Sequence, residues 1–289
     1  MVHSPEDRTS DSRRVEVSVV VTVKNEAKRL GDLLDSLVSQ KADHEVLVVD
    51  GGSTDTTVAI AEEYARRFPK VRLIRHPGTR GDSRNAGVRA ARGTYVAFID
   101  GDCIANAFWL EGLLRTLKAH PVAAGRTVQM GYWAFANLQR VELPHKGQDV
   151  TFPSCNLAYA KELFERIGGF DPRFHTAEDI DLNLRAVKAG GTIGYGDKAI
   201  VYHRARESVT GFFRQAYWNG YGRKQLTLKH GKLWSQYSLR RLMRTQMSFW
   251  ALARMMFAMA GYLACKLKER AEDYRAAPPT AAAAKPTAR

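Results

Sequence analysis

VEVSVVVTVKNEAKRLGDLLDSLVSQKADHEVLVVDGGSTD, residues 15–55, decides the fold. Val15–Val23 is a run of β-branched side chains, short enough for one buried strand. Leu30, Leu33, Leu34, Leu37 and Val38 then recur at helical spacing within Ala27–Gln40. Glu45–Val49 returns to a buried strand and stops at Asp50-Gly51-Gly52-Ser53. Two apolar strands joined by an amphipathic helix are the unit of a parallel sheet covered on both faces.

The alternation continues outward from that stretch. Thr56–Phe68 is helical in pattern, Val71–Ile74 a strand, Ser83–Ala91 a helix, and Tyr95–Ile99 a strand ending at Asp100-Gly101-Asp102. The fold class is therefore α/β, a Rossmann-like, mostly parallel sheet with helices on both faces. Ligands bind such sheets outside the carboxyl ends of their strands. Lys24-Asn25-Glu26, Asp50-Gly51-Gly52-Ser53 and Asp100-Gly101-Asp102 all follow strand ends, so they are expected along one edge. Residues 120–205 are less periodic, with a helix over Ile180–Ala189 preceded by Glu178-Asp179, and a short strand Ala199–His203.

Composition narrows the partners. The net charge of +14 calls for anionic ones. Nucleic acid is not among them, because acids at the strand ends would repel phosphate without an intervening cation. Cys103, Cys155 and Cys265 are too far apart in sequence for a CxxC or zinc spacing, which favours a reducing, cytoplasmic setting. Residues 1–14 are polar, without the apolar run of a secretory signal.

Two carboxylates one residue apart after a buried strand can offer oxygens to a hard divalent cation, with the remaining positions left for phosphate and water. Arg84-Asn85-Ala86-Gly87, Ala91-Arg92-Gly93 and Tyr95–Asp102 together resemble the approach to the metal motif of family 2 inverting glycosyltransferases of the GT-A fold. Val17–Glu26, Asp50–Asp55, Asn156-Leu157-Ala158, Ile167–Asp171 and Glu178–Leu182 extend the resemblance, in the family's order, over roughly residues 15–225. It departs from the family at Thr22-Val23-Lys24-Asn25, where Pro-Thr-Tyr-Asn is usual, and at Asp50-Gly51, where Asp-Asp is commoner.

The resemblance implies roles. Thr22, Glu26, Asp50, Arg84 and Asp100 would bind the nucleotide. Asp102, with His203 and Asp100, would hold Mn²⁺ or Mg²⁺. Asp179 would be the catalytic base, and Arg214, Arg223 and Lys224 would approach the donor diphosphate. The chemistry is consistent with this: a departing diphosphate needs cationic stabilisation, and a hydroxyl needs one carboxylate to accept its proton. The implied partners are a nucleotide-sugar donor, a UDP-sugar above others, and a hydroxyl of a glycan or lipid-linked glycan. A polyprenyl-phosphate sugar synthase, whose acceptor needs no base, is the nearest rival. The rivals from another class are a non-catalytic nucleotide-sugar binder and a basic nucleic-acid-binding protein, the latter leaving the strand-end acids unexplained. On local grounds alone, the Asp50 turn could be a helix cap and Glu178-Asp179 ordinary first-turn acids.

Four segments are expected: a disordered N-terminus (1–14), the catalytic domain (15–210), a basic aromatic helical region (211–270) and a disordered tail (271–289). Met247–Cys265 is apolar but interrupted by Arg254, with cations on both flanks. An interfacial helix on an anionic membrane surface fits that pattern better than a single crossing. A buried or homodimer-forming helix is the alternative. The location expected is peripheral, at the cytoplasmic face of the cell membrane.

Overall fold

The computed structural model describes residues 15–130, 142–204, 208–231, 233 and 249–275. Three parallel pairings build half of the sheet. β1 (Val17–Val23) lies between β2 (His44–Asp50) and β4 (Tyr95–Asp100), and β2 also pairs with β3 (Val71–Arg75). The chain thus adds strands to one side of β1 and then crosses to the other. The crevice at such a reversal is where ligands bind in these sheets.

Beyond β4, the antiparallel β9 (Leu157–Ala160) joins β6 (Val122–Met130). β10 (Ile193–Arg204) runs parallel to β6, and the short β5 (Cys103–Ala105) closes the far edge antiparallel to β10. The order of the eight-stranded sheet is β3-β2-β1-β4-β9-β6-β10-β5. A two-stranded hairpin, β7 (Pro144–His145) with β8 (Gln148–Asp149), stands apart. β10 starts earlier than the expected Ala199, because a bulge between Gly196 and Ile200 lets it continue along β6.

Alternation along the strands divides two cores. Val19, Val21, Val46, Val48, Ala97 and Ile99 face α1 (Leu30–Val38), α2 (Thr57–Arg67) and α4 (Trp109–Leu117). Val20, Leu47, Val49 and Phe98 face α3 (Arg80–Ala90), α5 (Lys161–Arg166) and α6 (Glu178–Lys188). Burial on both faces explains why the strands read as unbroken apolar runs. Glu178 and Asp179 belong to the first turn of α6 rather than preceding it.

Two long helices follow, α7 (Val209–His230) and α8 (Phe249–Lys268). Phe213 stacks on Phe257 at 4.4 Å, and a Cβ on Gly261 would fall 1.9 Å from the Tyr217 carbonyl oxygen. Their backbones therefore approach as closely as glycine allows. Within the segment expected as a tail, Ala271–Tyr274 forms a 3₁₀ turn whose Tyr274 is buried and bonded to Gln225 and Glu269. The remaining tail, 276–289, and the expected disordered segment 1–14 lie outside the described residues.

Helix α3 carries the Arg84 motif and sits flush on β1 and β2 through Gly87. A Cβ there would lie 2.4 Å from Val20 Cγ1 and 3.1 Å from Val49 Cγ2. Gly87→Val is expected to overpack this contact and cost about 1–3 kcal/mol of stability, read from the shift of the urea midpoint.

Candidate functional site

The strand ends form the site by register. Thr22, half-buried, pairs with Val49 on one side and Asp100 on the other, and Val23 pairs with Asp50. The loops after these strands brace one another. Asn25, at φ 57°, accepts from Thr54 N through its Oδ1 at 2.8 Å and donates its own N–H to Ser53 Oγ. Asp50 is 4% exposed and accepts from Gly52 N and Ser53 N. Its carboxylate thus holds its own turn at the edge of the crevice, an Asx arrangement.

Beyond β4 the chain turns at Gly101, where a Cβ would press on Val23 and, at 3.1 Å, on Glu26 Cγ. This brings Glu26, expected at the nucleoside, against the Asp100–Asp102 turn. Its Oε2 is buried and accepts no hydrogen bond among the described residues; Arg29 stands 3.5 Å away. Burial, then the charges of Asp102 and Asp100, push the Glu26 carboxyl up from its ordinary value, with Arg29 working against them.

Asp102 meets β10. Cys103 and His203 are direct partners across β5 and β10, and His203 and Gln129 are partners across β10 and β6. One row of the sheet thus gathers three residues from distant parts of the chain. The His203 Nδ1 lies 2.9 Å from Gln129 Oε1, an acceptor, so Nδ1–H donates and Nε2 faces Asp102 Oδ1 at 3.5 Å. Ligand atoms of Asp102, Cys103 and His203 all lie within 4.8 Å of one another. Gln129 was not anticipated; only the strand register reveals it.

Arg84 connects this edge to α6. Its guanidinium donates to Asp100 Oδ1 and Glu178 Oε1, each at 2.7 Å, and its CZ lies 5.2 Å from the centroid of the Phe170 ring. At 1% exposure it is not available to a ligand. The nucleotide-binding role implied for Arg84 is therefore corrected: both of its arms are occupied by protein carboxylates. Burial works to raise the Asp100 pKa; Arg84, Arg80 and His203 outweigh it and hold the carboxyl below its usual range. Next to Arg84, Asn85 clamps the Phe170 backbone with bonds of 2.8 and 2.9 Å. Gly169, at φ 66°, leaves the space in which a Cβ would meet Asn85 Oδ1 at 2.6 Å.

Residues 18–170 match the family model described as Glycosyl transferase family 2, over half of the chain, and residues 95–267 match Glycosyl transferase family group 2. The chain belongs to glycosyltransferase family 2. It is 30% identical over 206 residues to the glycosyltransferase AglE of Haloferax volcanii, covering 66% of this chain and 67% of that one. The pre-mycofactocin glycosyltransferase of Mycobacterium tuberculosis is 29% identical over 238 residues, 76% of this chain and 49% of the relative. The chain thus spans between about half and two thirds of these relatives' length. Among solved structures, S. aureus TarS 1-349 in complex with UDP superposes with a TM-score of 0.57 at 19% identity, covering 90% and 83% of the two chains. The mannosyltransferase PcManGT from Pyrobaculum calidifontis, in complex with GDP-Man and Mn²⁺, gives 0.59 at 19%, covering 91% and 77%. The fold is GT-A.

In this family-2 chain the donor set could hold a divalent cation. Asp102 and His203 supply an oxygen and a nitrogen to it. Cys103 contributes a buried thiol to the group.

Asp179 opens α6 next to Glu178, after Ala177 in the left-handed region at φ 64°. A non-glycine residue there is strained, by on the order of 1 kcal/mol or more. Asp179 is half-buried and accepts from Ser154 N at 3.2 Å and Ile180 N at 2.8 Å. Burial, then the charge of Glu178, push its carboxyl up to about 6 despite Arg84 and those two bonds. Of the three cations expected at the diphosphate, Arg214 is exposed and Arg223 half-buried on α7. Lys224 is half-buried on the same helix, its ammonium 5.4 Å from the centroid of the Tyr262 ring on α8.

Removing Arg84 takes from Asp100 and Glu178 the cation they share at 2.7 Å, leaving Arg80 3.7 Å from Glu178. Arg84→Met is expected to cost about 3–5 kcal/mol of stability, read by thermal or urea denaturation.

Proposed function

We propose that the chain is an inverting, metal-dependent glycosyltransferase that moves a sugar from a nucleotide-diphosphate donor, a UDP-sugar above others, to a hydroxyl of a glycan or lipid-linked glycan. The observation that carries the reading is Asp179: a half-buried carboxylate with its pKa lifted to about 6, one residue from the Arg84 bridge to the Asp100-Gly101-Asp102 turn. A general base works best when its pKa lies near the operating pH. Inversion needs one base and no protein nucleophile. The acceptor oxygen bonds to the anomeric carbon, the bond from that carbon to the diphosphate oxygen breaks, and its electron pair stays with the diphosphate. The hydroxyl proton passes to Asp179.

Asp102 and His203 would hold Mn²⁺ or Mg²⁺, with Gln129 orienting the imidazole. Bound there, the ion would stabilise charge on the departing diphosphate. Asp50 and Thr22, beside it on the same sheet edge, would position the nucleoside, and Arg214, Arg223 and Lys224 remain candidates for the diphosphate. The neighbours bound to UDP and to GDP-Man with Mn²⁺ support a donor of this class. The acceptor is inferred to be met at the cytoplasmic face of the cell membrane.

Calorimetry with UDP, GDP and dTDP, with and without Mn²⁺ or Mg²⁺, is expected to show binding of one nucleotide that requires the metal. Asp102→Ala should abolish it; no binding of any of the three overturns the donor assignment.

Asp179 gives a pH signature. Below about 6 the carboxyl of the free enzyme is protonated, so kcat/KM should fall about tenfold per pH unit on the acid side. Asp179→Asn should remove transfer to a hydroxyl while leaving nucleotide binding; transfer that survives it points instead to a phosphate acceptor. The fold favours the protonated carboxyl, so that stabilisation is full below the unfolded value of 3.8 and is lost as pH rises through about 6. Above pH 6, Asp179→Asn should therefore melt at a higher temperature than wild type.

A further inference from the structure

Helix α8 has two unlike sides. One is packed on α7 through Phe257, Ala258, Gly261 and the buried Cys265. The other carries Leu252, Met256, Met259, Leu263 and Leu267, exposed by 54, 65, 55, 50 and 88%. Steps of four, three, four and four residues place these five side chains on one stripe about 22 Å long. An apolar stripe of that continuity on a soluble surface marks an interaction site.

The charges around it select the occupant. Lys266 and Lys268 are exposed on either side of Leu267, and Arg270 is exposed just beyond. Among its twenty residues α8 has no acidic side chain. A second copy would bring a like-charged helix against these lysines, whereas anionic lipid headgroups would answer them while the acyl boundary takes the apolar stripe. No helix of the described residues is long and apolar enough to cross a membrane. The geometry is that of a helix lying in the interface, its lysine stems reaching along apolar surface to the headgroups.

We propose that the exposed face of α8 is the docking surface of this enzyme on an anionic lipid bilayer, and that it sets the catalytic edge beside the membrane. The mechanical link is short. α7, to which α8 is packed, meets the loop before Asp179: a Cβ on Gly222 would fall 2.6 Å from the Thr176 carbonyl oxygen. The rings of Trp218 and Tyr221 lie 5.4 and 5.5 Å from His175. A bilayer that holds α8 therefore holds the entrance to the candidate base, which deepens the reading above by making the acceptor one that is anchored in lipid. This part rests on that reading; the docking does not.

The test is flotation of the full chain with vesicles of phosphatidylcholine alone and of phosphatidylcholine mixed with phosphatidylglycerol. Binding is expected only to the anionic vesicles, and to weaken with salt. Met256→Glu/Leu263→Glu/Leu267→Glu should abolish it, and Lys266→Glu/Lys268→Glu should weaken it by at least roughly fivefold per reversed charge. Circular dichroism and metal-dependent nucleotide binding of the same preparations read folding and the donor site separately. Loss of vesicle binding with nucleotide binding retained supports the docking surface. Failure to bind anionic vesicles overturns it, as does undiminished binding by the triple variant. A wild-type dimer that the triple variant converts to monomer overturns it in favour of a second copy. If docking holds but transfer occurs equally to soluble and lipid-anchored acceptors, the acceptor part falls and the docking stands.

Discussion

One buried guanidinium organises this molecule's catalytic edge. Arg84 lies 1% exposed between Asp100 and Glu178, two carboxylates that come from the end of a strand and the start of a helix. Its two arms tie the end of that strand to the start of that helix, each by a 2.7 Å ion pair. Phe170 packs beneath the same group, and Asn85, the next residue on α3, fastens the Phe170 backbone. The edge of the sheet, the loop around Phe170 and the first turn of α6 are thereby one rigid unit. Everything proposed for Asp102, His203 and Asp179 depends on that unit keeping its geometry.

The same unit holds its tension where chemistry would use it. The αL backbone at Ala177 and the burial of Asp179 both oppose folding, while the lifted pKa brings the carboxyl into the range of a working base. Elsewhere at the edge, the charges of Asp102 and Asp100 bear on the half-buried Glu26 carboxyl, with Arg29 3.5 Å away working against them. In the reading proposed above, a bound cation would relieve that repulsion. Gln129 completes the edge from a neighbouring strand by fixing which imidazole nitrogen faces Asp102.

Much of the fold was legible in the sequence, because strands buried on both faces leave an unambiguous record of apolar residues. Val19, Val21 and Val23 against Val20 show which side each residue takes only once the helices are placed, but the run itself already announced a parallel sheet. The strand-end acids were legible for a related reason: polar motifs placed directly after such runs must fall on one edge. Arg84 was the instructive miss. A lone arginine in a motif reads as a ligand contact, and nothing local tells that two carboxylates distant in the chain will enclose it. The contact of Lys224 with Tyr262 was illegible for the same reason, since it depends on how α7 and α8 cross.

The sequence by itself determined the parallel α/β architecture, the family and the set of acids at the sheet edge, because periodicity and short motifs are local properties. The tertiary structure alone decided which of those acids are bound by protein and which face the crevice, and that Gln129 stands behind His203. It also decided which side of α8 remains uncovered. Those outcomes depend on register between strands and on packing between helices, where one residue's displacement changes the partner, and no local pattern of side chains encodes them.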